Sequence, residues 1–134
     1  MRARNIAVRL ALISSCTFAA VAANPDLSKL PAPAAKKGVT YEKDIKAIFE
    51  KACFKCHGDE KQKGKLRLDS LESALKGGDN GKVIETGKSE KSSLVIAVAR
   101  IGDEDEAMPP EGKGDPLTKD QVALIRAWID QGAK

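Results

Sequence analysis

Residues 52–59 read ACFKCHGD. Cys53 and Cys56 stand three positions apart, and His57 follows at once. Two thiols and an imidazole so placed can form a redox disulfide, part of a zinc site, or a covalent anchor for a porphyrin. The flanking sequence has to separate these chemistries.

Immediately upstream, Ile45, Ile48, Phe49, Ala52 and Cys53 recur at i, i+3, i+4, i+7 and i+8, one apolar helical face. Thr40 is the expected N-cap, with Glu42 and Asp44 in the first turn, where acids suit the helix dipole. Cys53 lies on the apolar face and is therefore expected to point at the core. Downstream, DEKQKGK at 59–65 predicts a charged, exposed loop and LRLD at 66–69 a short extended piece. Asp69 and Glu72 are spaced like a capping box opening a short helix, SLESALK, which Gly77 and Gly78 stop. Residues 77–91 form a long glycine-rich loop, a feature usually tied to function or to a wrapped ligand. SSLVIAVARI at 92–101 is expected to be helical, with Ser92 or Ser93 as N-cap, and a second long loop spans 102–116. Thr118 with Gln121 forms a capping box, and Leu117 with Val122 fits a hydrophobic staple. They open a last helix, KDQVALIRAWIDQ, that ends before Gly132 and carries Val122, Ile125 and Ile129 on one stripe, with Leu124 and Trp128 beside it. About four helices, long loops and almost no strand make an all-α domain.

The length of 134 residues suits one domain. Residues 1–23 are set apart from it. Arg2, Arg4 and Arg9 precede an apolar and small-residue run, LALISSCTFAAVAA, with Ala20, Ala22 and Ala23 at the expected cleavage site. That is the layout of a secretory signal, and the run is short against the ~20 residues of a bilayer span. The stretch ISSC at 13–16 also resembles a lipobox, so a lipid anchor at Cys16, and hence a membrane-tethered lipoprotein, is the alternative. Residues 24–38, with Pro25, Pro31 and Pro33 among Ala and Lys, predict an extended linker with little reason to pack. The folded domain is expected over 39–134.

Removal of the signal changes two arguments. Taking its three arginines from the 23 Lys+Arg leaves 20 against 19 Asp+Glu, a net charge of +1, and with it no case for nucleic-acid binding. Cys16 goes as well, or is lipidated, so Cys53, Cys56, His57 and Met108 become the only cysteines, histidine and methionine of the mature chain. Its aromatics are Tyr41, Phe49, Phe54 and Trp128, a small set for a core, which a large apolar cofactor would supplement.

A thioredoxin-type cysteine pair belongs beside a βαβ pattern, and none is present. A structural zinc site needs four ligands, and only three Cys or His residues remain. C-x-x-C-H is the spacing of c-type haem attachment. On one helical turn Cys53 and Cys56 can both form thioethers to a haem edge, and His57 can reach the iron from the same side. An export signal agrees with this, because haem c is attached outside the cytoplasmic membrane. For the opposite axial position no second histidine exists, which leaves Met108, a lysine, water or nothing. Met108 stands in AMPP, 51 residues after His57, ahead of two backbone-stiffening prolines. It is the expected second ligand, against the alternative of a gap-filling loop methionine.

The ordered set FEKACFKCHGDEKQKGKLRLDSLESALKGGDNG, GKSEKSSL, MPP and AWIDQGA resembles the planctomycete-type cytochrome c domain, a class I-like c-type cytochrome. The resemblance covers about residues 40–133. It implies a small helical fold around one covalent haem c, with the first and last helices packed near it and Phe49 and Trp128 in that contact. It implies electron transfer rather than enzymatic turnover, with periplasmic or otherwise extracytoplasmic redox proteins as partners. A haem-based ligand-binding or peroxidase-like domain with an open iron site is the alternative, and a purely structural haem module a third. Asp79 and Asn80 are candidates to lie near the haem propionates, against a plain surface turn. Either DEDE at 103–106 or Lys61, Lys63 and Lys65 could steer a partner, if they are not simply solvated loop charges.

Overall fold

The computed structural model describes residues 24–134. The expected signal segment and Cys16 lie outside the described residues. Five α-helical segments follow in order: α1 (Lys46–Ala52), α2 (Phe54–His57), α3 (Leu71–Lys76), α4 (Ser93–Ala99) and α5 (Lys119–Asp130). Among the described residues no strand forms, only two isolated bridges, His57 with Gln62 and Gly78 with Gly81. The all-α expectation holds.

The first helix enters through a wide π-helical turn, Tyr41–Ile45, capped by the Thr40 hydroxyl, which accepts from the Lys43 N–H. Its apolar face is sharper than the pattern implied. Ile45, Phe49 and Cys53 are buried, while Ile48 and Ala52 are only partly so. The helix breaks at Cys53 (φ −123°, ψ −36°), which separates α1 from α2, so one expected helix becomes two segments.

α5 packs against the entry turn, α4 and the 89–91 turn. Thr118 and Gln121 close the expected capping box: the hydroxyl accepts from Gln121 N–H at 3.2 Å and the amide accepts from Thr118 N–H at 2.9 Å. Val122, Ile125, Trp128 and Ile129 are buried along it. Trp128 meets Phe49 at 6.2 Å between ring centroids and Tyr41 at 6.0 Å. Tyr41 completes the triangle with Phe49 at 6.3 Å. Three such rings bury ~150–250 Å² each, about 4–6 kcal/mol apiece of gross apolar burial. This triangle, joining the entry turn, α1 and α5, is the centre of the core.

Two expectations are corrected. The short helix α3 is capped by Ser70, whose hydroxyl accepts from Ser73 N–H at 3.2 Å, and not by Asp69. Asp69 is engaged elsewhere, accepting two hydrogen bonds from Arg67 at 3.0 and 2.6 Å. A bidentate guanidinium outcompetes a cap for a carboxylate. Nor is the proline-rich stretch 24–38 unpacked. Ala34 N–H donates to Ala123 carbonyl at 2.9 Å, Arg126 donates to Pro31 carbonyl, and Gln131 donates to Lys36 carbonyl at 2.8 Å. Extended proline-rich backbone leaves its carbonyls free, and α5 supplies donors for them. Arg126 also reaches the buried Ser89, which donates to Asp130, so this segment, the 89–91 turn and α5 are tied by one polar network.

Candidate functional site

α2 is a single turn in which both Cys56 N–H (3.1 Å) and His57 N–H (2.9 Å) donate to the Cys53 carbonyl. That turn holds the two thiols and the imidazole within one short unit. Cys53 is 8% exposed and belongs to the core cluster, as its place on the helical face predicted. Burial pushes its thiol up to about 12. A reactive cysteine needs its thiolate, so the burial opposes a redox-disulfide role. Among the described residues no group of three or more His, Cys, Asp or Glu is arranged to hold a metal ion.

The segment after α2 folds back on the motif. Leu68 N–H donates to the His57 carbonyl at 2.7 Å. The His57 ring places Nδ1 3.3 Å from the Leu66 carbonyl oxygen. A carbonyl can only accept, so Nδ1 is the donor in this contact and Nε2 is the ring nitrogen it leaves unengaged. A ligating histidine characteristically engages its other ring nitrogen in this way. Tyr41, wholly buried, donates its hydroxyl to the Leu68 carbonyl at 2.7 Å. Residues 66–68 are thus held from the core and hold His57 in turn.

His57 and Met108 line one cavity of about 240 Å³, with Leu66 and Val83 as apolar walls and Lys63, Asp79 and Asn80 among the polar lining. The two expected ligands, 51 residues apart in the chain, are therefore brought to one space. Asp79 and Asn80 also border it, as an exposed two-residue turn between the bridged Gly78 and Gly81. Asp79 is salt-bridged to Lys65 at 2.9 Å. Backbone closes tightly here: a Cβ on Gly78 would stand 2.4 Å from the Gly64 carbonyl oxygen and 3.0 Å from Leu66 N. Cys53 and Cys56 do not line this cavity. A larger cleft of about 360 Å³, between Ile48 and Ala52 on α1 and Leu117 and Gln121 by α5, contains neither cysteine, His57 nor Met108.

Met108 is half-buried and sits at the end of the 102–107 loop. Its N–H donates to the Ala97 carbonyl in the last turn of α4 at 3.1 Å, and the peptide to Pro109 is cis. Arg100 donates to the Pro109 carbonyl at 2.8 Å. Three features escaped sequence reading: the Leu66 carbonyl behind His57, the Tyr41 hydroxyl behind Leu68, and Arg100 beside Met108. In each the partner is a backbone carbonyl, of Leu66, Leu68 and Pro109, which no residue type announces.

Residues 53–112 match the family model described as Planctomycete cytochrome C. This stretch is a planctomycete-type cytochrome c domain. The match begins at Cys53 and runs beyond Met108, so it takes in both His57 and Met108 of the cavity. No curated protein and no solved structure gives a significant match. A cytochrome c domain implies covalent haem c, and the residues fit that group: two cysteines on one turn, and a histidine whose Nδ1 is already engaged. Among the described residues no helix is long and apolar enough to cross a membrane.

Proposed function

We propose that this domain carries single electrons through one haem c, with Cys53 and Cys56 as its thioether anchors and His57 and Met108 as its axial ligands. The observation that carries the reading is the shared cavity of His57 and Met108, with His57 Nδ1 tied to the Leu66 carbonyl. When bound, haem supplies a reversible one-electron couple, and Met/His ligation raises its potential. The chain's own residues do the rest. The Leu66 hydrogen bond fixes the orientation of the imidazole plane. Cys53 and Cys56 keep the group attached in both oxidation states. With His57 and Met108 both holding the iron, no coordination position would be left open, which separates electron transfer from a ligand-binding or peroxidase-like role. Leu66 and Val83 give the cavity apolar walls against which a haem would pack.

The partners are redox proteins met outside the cytoplasm, once residues 1–23 have directed export. Lys63 lines the cavity, whereas the acidic run 103–106 does not, so an acidic partner surface fits better than a basic one. Optical spectroscopy of the haem-loaded protein tests the ligand set. The ferric protein should be low-spin with the long-wavelength charge-transfer band of a thioether–iron bond, and Met108→Ala should lose that band. A wild-type protein that is high-spin and binds carbon monoxide readily would overturn the proposal in favour of an open site.

A further inference from the structure

Arg100 ends α4 in the left-handed region, with φ 56° and ψ 41°. Residues other than glycine are strained there, by roughly 1–2 kcal/mol. The side chain placed at this cost has a specific use. Its guanidinium donates to the Pro109 carbonyl at 2.8 Å, while the backbone N–H of Arg100 and that of Met108 both donate to the Ala97 carbonyl, each at 3.1 Å. Four carboxylates, Asp103 to Glu106, lie in the intervening loop, yet among the described residues Arg100 forms no salt bridge with any of them. The cation is instead directed to a neutral carbonyl one residue past Met108. The Met108–Pro109 unit is therefore clasped at two points: its N–H by the last turn of α4, and the Pro109 carbonyl by the Arg100 side chain.

We infer that Arg100 is the positioning residue for Met108, and that its hydrogen bond to the Pro109 carbonyl decides how far the thioether is held in the cavity it shares with His57. This rests on the proposed ligation by Met108. Without the clasp the loop opens more often, and the second axial position becomes available to an external ligand.

The test compares haem-loaded wild type with Arg100→Gly, Arg100→Gln, Arg100→Lys and Met108→Ala, titrating each ferric protein with free imidazole. Arg100→Gly removes the side chain and relieves the left-handed backbone, so its melting temperature should not fall. If Arg100 positions Met108, imidazole should nevertheless bind about fivefold more tightly to Arg100→Gly and Arg100→Gln, the factor that one net hydrogen bond gives. Arg100→Lys, which keeps a donor, should recover part of the wild-type resistance. Imidazole affinity within about twofold of wild type in both the Gly and Gln variants, with Met108→Ala clearly tighter, would overturn the inference and leave Met108 ligation standing. Wild-type affinity in Met108→Ala would instead overturn the ligation reading on which the inference rests. Should Arg100→Gly fail to load haem, the Gln variant carries the comparison.

Discussion

Replacing Tyr41 by phenylalanine removes one buried oxygen and leaves the ring in place. The ring packs against Phe49 at 6.3 Å and Trp128 at 6.0 Å, and those contacts survive the change. The Leu68 carbonyl loses the hydroxyl that donates to it at 2.7 Å. No water reaches a fully buried side chain to replace it. A carbonyl left without its partner costs about 1–3 kcal/mol. For a domain of roughly 100 residues each kcal/mol moves the midpoint by about 4–8 °C, so the melting temperature should fall by about 5–20 °C. Burial, with the nearby negative charges of Glu42 and Asp69 adding to it, pushes the Tyr41 phenol up to about 12. The folded state therefore favours the protonated form. That contribution is fully present below the unfolded value of about 10 and is lost as pH rises through about 12. The Tyr41→Phe variant has no such group, so the stability gap to wild type should narrow between about pH 10 and about pH 12. Urea unfolding of the haem-loaded proteins at neutral pH and across that window reads both effects, and Cys53, held as a thioether, adds no titration of its own. A neutral-pH loss below about 0.5 kcal/mol, or a gap that stays constant up to high pH, would refute the reasoning about Leu68.

Three further outcomes are expected. Gly78→Ala places a methyl group 2.4 Å from the Gly64 carbonyl oxygen. It should cost at least about 2 kcal/mol in chemical denaturation and shift the haem absorption, because the 64–66 backbone must move away from His57. Lys63→Glu should reverse the sign of the salt dependence of electron exchange with an acidic redox partner. Equal salt slopes in stopped-flow traces would remove Lys63 from the docking surface. Mass spectrometry of the exported protein should find one haem added, and Cys53→Ser or Cys56→Ser should leave a single thioether that acid and organic solvent still do not strip. A haem extractable from the wild type would contradict covalent attachment.

Much of the fold could be read along the chain because its signals are local. The α5 capping box needs only Thr118 and Gln121 three residues apart, and hydrogen-bond geometry then follows from the helix itself. The apolar spacing from Ile45 to Cys53 likewise showed which way Cys53 turns. The readings that failed were those in which a distant or stronger partner competed. Asp69 has the right spacing for a cap, but Arg67 claims it, and Ser70 takes the role one residue later. Ser92 is the N-cap residue of α4 as expected, although its hydroxyl makes no cap hydrogen bond and instead accepts from Glu85 N–H and donates to the Lys88 carbonyl. The stretch 24–38 has the composition of a linker, and nothing within it reveals that Arg126 and Gln131 supply donors to its carbonyls.

The composition of the site belongs to the primary structure. One C-x-x-C-H motif, one histidine and one methionine after residue 23 make Cys53, Cys56, His57 and Met108 the candidates for holding a haem, because no other cysteine, histidine or methionine is available there. The arrangement of the site belongs to the fold. That His57 and Met108 line one cavity, that Leu66 holds the imidazole, and that Arg100 grips the carbonyl beside Met108 all depend on where loops return. Those contacts are made largely with backbone oxygens, which are the same in every residue, so no pattern of side chains could have marked them in advance.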